Sequence, residues 1–341
     1  MKKVIHLIPF DGIGGVESAA HTMSNISNAD IEFEIFYIFK KQVSKRNFLS
    51  SLSLKRILLS TFELYKKKPD LVIVSLWRSC IVAILLKLTR PKTKIVLFLH
   101  YPHHYHLADM FFTKIALFIS DSIWADSKDT LNSRAPAYPH EKSDVISFIA
   151  RRLKAKKHIA HPMPNFIFWG RLHEQKCIHR ALDIFSSIKS HFQNATYTII
   201  GPDGGELPSL IKQVDKLGLK NHVEFLGPKD LDSIINLTEE TSFYLQTSKL
   251  EGMAMSVVEA MQLGIIPIVT PVGEIKNYCV NGMNSILISD NDSVISSVRD
   301  LLNNTNLYLD MRNNCIKKWQ NHEIYSESVI RAAKKVLKIN K

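Results

Sequence analysis

Apolar residues in the first half of the chain come in short uninterrupted runs separated by longer amphipathic stretches. Runs at 4–9, 33–39, 71–76, 95–99 and around 144–149 have the length of strands buried on both faces. The segments 16–27, 47–66, 79–89 and 108–119 between them carry a helical spacing. Such alternation predicts a parallel sheet with helices on both sides. The pattern breaks at Arg151-Arg152-Leu153-Lys154-Ala155-Lys156-Lys157-His158 and His161-Pro162-Met163-Pro164, where a run of cations and then two prolines reads as a linker. It then restarts, with strands at 165–170, 195–201, 223–227, 243–247 and 266–270. Helices are expected around 178–190, 206–217, 230–237, 255–263 and 292–303, and a last one within 322–341. The expected fold class is α/β: two Rossmann-like, doubly wound domains facing across a cleft, with ligand at the carboxyl ends of the strands. The expected boundaries are 1–157 and 158–320, followed by 321–341.

Length agrees with this division, since 341 residues suffice for two cores. Charge narrows the partners: 44 Lys and Arg against 32 Asp and Glu leave +12, which favours an anionic ligand or surface. Cys80, Cys177, Cys279 and Cys315 are far apart with no C-x-x-C, so neither a zinc site nor a disulfide frame is indicated, as suits a reducing cytoplasm. The apolar run after Met1-Lys2-Lys3 ends at Pro9-Phe10-Asp11, too short for a signal peptide. No segment approaches the roughly 20 apolar residues of a membrane span.

The densest chemistry lies at Glu251-Gly252-Met253-Ala254-Met255-Ser256-Val257-Val258-Glu259-Ala260-Met261, followed by Leu263-Gly264-Ile265-Ile266-Pro267. A helix starting near Met253 leaves the N–H groups of Met255 and Ser256 without helical partners, an anion site suited to a diphosphate. Carboxylates beside a diphosphate cannot be its ligands, but they can accept hydrogen bonds from ribose and sugar hydroxyls. Glu251 on the loop and Glu259 on the helix therefore point to a nucleotide sugar. Capping does not account for both, because Glu259 lies well inside the helix. A second cluster, Gly170-Arg171-Leu172-His173-Glu174-Gln175-Lys176, follows the first strand of the second half.

Together these blocks resemble the retaining glycosyltransferases of family 4, which have the two-domain GT-B fold. The family forms are E-G-F-G-x-x-x-x-E-A-M-A-x-G-x-P-V-V-A, with its E-x7-E pair, and G-R-L-x-x-x-K-G. The likeness is good over about 160–290, and elsewhere concerns layout. Cys177 stands where a Gly usually follows the Lys, and Ala254 replaces the second Gly of E-G-F-G.

The resemblance implies a metal-independent retaining hexosyltransferase that needs no cofactor and uses a UDP- or GDP-linked sugar. The first domain would take the acceptor, the second the donor, and the C-terminal helix would return to the first. Arg171 and Lys176 would contact the diphosphate, Glu251 the donor sugar and Glu259 the ribose, with Gly252 and Met253 around the sugar. His100, closing the strand before His103, His104 and His106, falls where the family often has a histidine that meets the donor sugar. Gly14 and Gly15, in a turn without G-x-G-x-x-G spacing, would bring backbone N–H groups near the diphosphate and acceptor. Gly201 and the loop from Gly227 to Lys229 would lie beside the nucleotide.

Basic residues interleave with Phe and Leu across 40–68, a segment that reads either as a solvated helix or as one sitting on anionic lipid. The chain is rich in Lys, Ile and Asn, as an AT-rich bacterial gene would give. The expected setting is the assembly of lipopolysaccharide, O-antigen or capsule on a lipid-linked acceptor. The expected place is the cytoplasm, peripheral to the inner face of the membrane if 40–68 binds lipid. A UDP-sugar epimerase of similar fold and an inactive partner subunit are the rivals. A nucleic-acid role lacks a zinc pattern and a recognition-helix signature.

Overall fold

The computed structural model describes residues 1–12, 15–23, 28–39, 54–104, 106–155 and 161–339. The chain divides into two compact units, Met1–Arg151 with Glu323–Lys341, and Arg152–His322. The expected boundary at 157/158 lies outside the described residues.

The first unit is built on β1 (Lys2–Phe10), β2 (Ile31–Phe39), β3 (Leu71–Ser75), β4 (Lys94–Leu99), β5 (Ser122–Ala125) and β6 (Ser143–Val145). All are parallel, in the order β2-β1-β3-β4-β5-β6. Its helices are α1 (Gly15–His21), α2 (Leu54–Lys67), α3 (Trp77–Thr89), α4 (Leu107–Ile119) and α5 (Lys128–Arg134). Every residue of β3 and of β5 is buried, as a parallel sheet covered on both faces requires. The crossovers through α2, α3 and α4 all move along the sheet in one direction. Right-handed connection therefore places these helices on one face, where α3 packs against both of its neighbours.

The second unit holds β7 (Asn165–Trp169), β8 (Thr196–Ile200), β9 (Val223–Phe225), β10 (Phe243–Gln246), β11 (Ile266–Val269) and β12 (Ile286–Leu287). These are parallel, in the order β12-β11-β10-β7-β8-β9. Its helices are α6 (Ile178–His191), α7 (Leu207–Lys216), α8 (Leu231–Leu237), α9 (Met255–Leu263), α10 (Ile275–Tyr278), α11 (Asn291–Asn303) and α12 (Thr305–Trp319). Side chains of Asp230, Asp290 and Asn304 accept from the first-turn N–H groups of α8, α11 and α12, which sets where those helices begin.

The last helix, α13 (Tyr325–Leu337), completes the first unit. Tyr325 donates its backbone N–H to Ile149 O at 2.8 Å, and its ring meets that of Phe148 edge-on. Asp144 on β6 receives Arg331 at 2.8 Å and Lys335 at 2.9 Å.

Where sequence expectation and structure differ, the reason is local. The run read as a strand at 144–149 is paired only as β6, and its continuation instead holds α13. β5 was not expected because four residues opening on Ser122 make too short an apolar run. α12 was not expected because its buried stripe, Tyr308, Met311, Arg312, Cys315 and Trp319, contains a charge and a thiol. Of the helix expected at 47–66, residues 47–53 lie outside the described residues.

Candidate functional site

The order of the second sheet reverses between β7 and β10, so the loops leaving their carboxyl ends, 170–177 and 247–254, run side by side. They are joined by backbone and side chain. Lys249 N donates to Gln175 O at 2.9 Å, Gln175 Nε2 to Leu250 O at 2.7 Å, and Thr247 Oγ1 to Cys177 O at 2.7 Å. Lys176 Nζ and Glu251 Oε1 meet across this seam at 2.6 Å, and Gln246 Nε2 donates to the same oxygen at 3.1 Å. Two residues expected separately in the site thus form one largely buried ion pair.

Behind it, Gly273 at φ +55° lies so close to the loop that a Cβ there would be 2.1 Å from Glu251 O. Glu274 N donates to Gly252 O at 3.0 Å, and Tyr278 OH to Met253 O at 2.8 Å. Gly252 and Met253 are therefore fixed by their carbonyls. Helix α9 follows, its backbone bonds beginning with Val257 N to Ala254 O at 3.0 Å. The N–H groups of Met255 and Ser256 precede that bond, at the positive end of the helix. Ser256 Oγ joins Tyr244 OH, 2.8 Å away, and Gln246 Oε1, 3.2 Å away. Burial pushes the Tyr244 phenol well above its usual range, so it is a neutral hydroxyl. One turn further, Glu259 Oε2 accepts from Trp169 Nε1 at 2.8 Å.

The neighbouring strand ends continue the surface. Gly201 N donates to Gly227 O, and Gly170 N to Ile200 O, each at 2.9 Å. At Gly201 a Cβ would sit 1.8 Å from Gly170 O, so only glycine permits this approach. Asp203 Oδ1 accepts from the N–H groups of Gly205 at 2.7 Å and Leu207 at 3.1 Å, and these bonds, Leu207 first, hold its carboxyl below the usual range. Arg171 is exposed at the end of β7, beside the buried Leu172.

Cys177 and Ala254, the two departures from the family pattern, both have left-handed backbone, at φ +48° and +55°. That conformation is why glycine suits these positions, and here it is held by residues with a Cβ.

In the first unit, Ser75 Oγ lies 2.7 Å from His6 Nε2 and 2.7 Å from His100 Nε2. The hydroxyl has one proton to give, so at most one ring can accept through Nε2 and at least one must donate through it. Each Nδ1 is buried with no partner among the described residues. Burial lowers the His6 imidazole to about 3, and burial, His6 and Arg134 together lower His100 well below its usual value. Both are neutral near pH 7. The His100 ring is thus engaged with Ser75 and packed 4.3 Å from Phe98. His106 caps α4 by accepting from Asp109 N at 3.1 Å, while Arg134 donates to the carbonyls of Tyr101 and His103 at 3.0 Å. Gly15 opens α1, and Gly14 lies outside the described residues.

Residue-by-residue reading of the sequence missed Ser75, His6, Trp169, Tyr244 and Gln246. The available signal was a polar atom at or near the carboxyl end of an otherwise apolar strand, as in Leu71-Val72-Ile73-Val74-Ser75 and Phe243-Tyr244-Leu245-Gln246.

Comparison with known proteins adds the following. The sequence profile of the glycosyl transferases group 1 family matches residues 150–320. Two uncharacterized glycosyltransferases are similar over part of the chain. MJ1069 of Methanocaldococcus jannaschii is 24% identical over 143 residues, 41% of this chain and 36% of its own. YqgM of Bacillus subtilis is 26% identical over 168 residues, 48% of this chain and 45% of its own. The chain thus spans less than half the length of these curated relatives. Among solved structures, Anabaena HepE in complex with UDP-glucose is similar with a TM-score of 0.75, at 16% identity and over 99% of both chains. The lipopolysaccharide outer core galactosyltransferase WaaB has a TM-score of 0.68 at 18% identity, over 98% of this chain and 99% of its own. S. aureus TarM has 0.69 at 15%, over 83% of this chain and 58% of its own. At such identities the likeness establishes the two-domain GT-B fold and leaves chemistry to the residues. The profile covers half of the chain and contains both the Gly170-Arg171-Leu172 block and the Glu251–Glu259 block, and the chain belongs to the glycosyl transferases group 1 family.

Proposed function

We propose that this protein is a family 4 retaining hexosyltransferase, working without a metal, in which Glu251 and Glu259 form the E-x7-E pair. The observation that carries this reading is the seam of the second sheet, where a helix N-terminus, a Lys–Glu pair and a second carboxylate converge. The diphosphate of the donor sits on the N–H groups of Met255 and Ser256, with Lys176 and Arg171 as its counter-charges. Glu251 accepts hydrogen bonds from hydroxyls of the hexose, and Glu259, oriented by Trp169, accepts from the ribose. The base rests by Gly201 and the loop after Gly227. UDP is the favoured nucleotide, because HepE was crystallised with UDP-glucose and with UDP; GDP is the alternative.

In the transfer, the C1–oxygen bond to the diphosphate breaks and its electron pair leaves with the phosphate oxygen. The acceptor hydroxyl attacks C1 from the same face and passes its proton to that oxygen. Glu251 forms no bond to C1, in contrast to the two-carboxylate glycosidase scheme. The acceptor is a lipid-linked glycan of lipopolysaccharide, O-antigen or capsule synthesis, a setting supported by the fold shared with WaaB. His100, in the first unit, is a neutral group held by Ser75.

Proton NMR of UDP-glucose, UDP-galactose and UDP-N-acetylglucosamine with the protein and no acceptor tests the stereochemistry. Slow release of the α-anomer first is expected for at least one donor. First release of the β-anomer would overturn retention, and a new sugar still attached to UDP would indicate an epimerase.

A further inference from the structure

The layer formed by α2, α3 and α4 carries apolar residues on its outer face as well as its inner one. On α4 the buried stripe is Asp109, Thr113 and Ala116. The exposed stripe, at spacings of four, three and four, is Leu107, Phe111, Lys114 and Phe118. Leu107 is 79%, Phe111 59% and Phe118 92% exposed. On α2 the buried side is Ile57, Ser60, Thr61 and Leu64, while Leu54, Leu58, Leu59, Phe62 and Tyr65 are exposed. Between them α3 leaves Ile81, Ile84 and Leu85 half-buried and Leu88 77% exposed. An isolated exposed leucine needs no account, but three adjacent helices with apolar outer positions make a surface soluble proteins rarely leave uncovered.

Charge selects what covers it. The exposed cations on these helices are Lys55, Lys66 and Lys114, and Lys66 Nζ lies 4.4 Å over the Phe62 ring. The carboxylates of the same three helices are Glu63, tied to Arg56 at 3.3 Å, and the buried Asp109. Aromatic and leucine side chains flanked by lysines, with the one part-exposed carboxylate tied to an arginine, match an anionic bilayer: rings at the depth of the headgroups, ammonium groups at the phosphates. In a two-fold contact between copies of the chain two faces with the same excess of lysine would be apposed, so self-association is the poorer fit.

We infer that the outer face of α2, α3 and α4 docks the protein on an anionic lipid surface. This deepens the proposed use of a lipid-linked acceptor, since it names the surface through which such an acceptor is reached, but it rests on the exposure pattern and is tested without donor or acceptor. The test is sedimentation of the full chain with vesicles of phosphatidylcholine alone or with 30% phosphatidylglycerol added, about the anionic content that gives a surface potential of tens of millivolts. Wild type is expected to bind the mixed vesicles and not the neutral ones. Phe111→Ser with Phe118→Ser, and separately Leu58→Ser with Phe62→Ser, should each weaken binding about tenfold or more. Lys66→Glu with Lys114→Glu should weaken it at least about fivefold per lysine, with weaker dependence on salt. All variants should keep the wild-type melting temperature, because the substituted residues are exposed. Equal binding to neutral vesicles, no vesicle binding by wild type, or a wild-type dimer abolished by the same variants would overturn the inference. A nucleotide-induced melting shift retained in protein that does not bind vesicles would overturn docking alone. Vesicle binding without any nucleotide shift would overturn the donor reading alone.

Discussion

Cys177 and Ala254 hold left-handed backbone at the two loops that build the seam, where a β-carbon costs about 1–2 kcal/mol. Glycine removes that strain and returns about half of it as unfolded-chain entropy. Cys177→Gly and Ala254→Gly should therefore each stabilise the second unit, by about 0.5–1 kcal/mol, and raise its melting temperature by a degree or more. A fall in melting temperature for both would mean that the thiol and the methyl make contacts worth more than the strain. The same two residues show how far single positions were legible. Their departure from the family pattern was visible in the sequence, but the reason for the pattern lies in a backbone angle that one sequence does not print. The joining of Lys176 to Glu251, 75 residues apart, also needed the strand order.

The histidines of the first unit give a pH signature. The His6 imidazole has a folded-state value of about 3 against an ordinary 6.5, so the native state takes up its proton later than the unfolded chain. Stability from this group is complete above pH 6.5 and is lost as pH falls, by about 1.4 kcal/mol per pH unit for each such histidine until the folded value is reached. His100 shifts in the same direction and steepens the loss. Denaturant unfolding of the first unit between pH 7 and 4.5, a window above most carboxylates, should show this slope. In His6→Asn it should be shallower by about one proton. A flat profile in the wild type would contradict the neutral, buried pair around Ser75.

At the scale of elements, the carboxyl ends of β7, β8 and β9 form a backbone ladder that leaves no room for side chains at one point and ample room at another. A Cβ at Gly201 meets Gly170 O at 1.8 Å, whereas at Gly227, with φ +66°, nothing lies within 4 Å. Gly201→Ala should cost more than about 2 kcal/mol and disturb nucleotide binding, because the strand ends must separate. Gly227→Ala should cost only the strain of its backbone angle, about 1 kcal/mol. Equal effects on the melting temperature would contradict the ladder. Periodicity located most elements to within a few residues, α9 among them, because long apolar helices and fully buried parallel strands carry strong signals. It failed where burial is achieved by unusual residues: β5 by a serine and a tryptophan, and α12 by Arg312 and Cys315.

For the whole molecule, two doubly wound units could be read from the alternation of strands and helices, and the net charge of +12 pointed to anionic partners. The apolar outer face of α2, α3 and α4 could not, since a stripe of leucine and phenylalanine reads as core until a sheet shows which side is already filled. The C-terminal helix belongs to the first unit through Tyr325 and Asp144, contacts between residues about 180 apart in the chain.

The central claim is that the seam of the second unit binds a nucleoside diphosphate on the N-terminus of α9. Its most direct test is the melting shift of the full chain with UDP, GDP, ADP and CMP, compared with Glu259→Ala and Arg171→Ala. A nucleotide at one hundred times its dissociation constant stabilises the protein by about 2.7 kcal/mol. One diphosphate, UDP first, is expected to raise the wild-type melting temperature and to do so much less in both variants. No shift with any diphosphate, or an equal shift in wild type and variants, would contradict it.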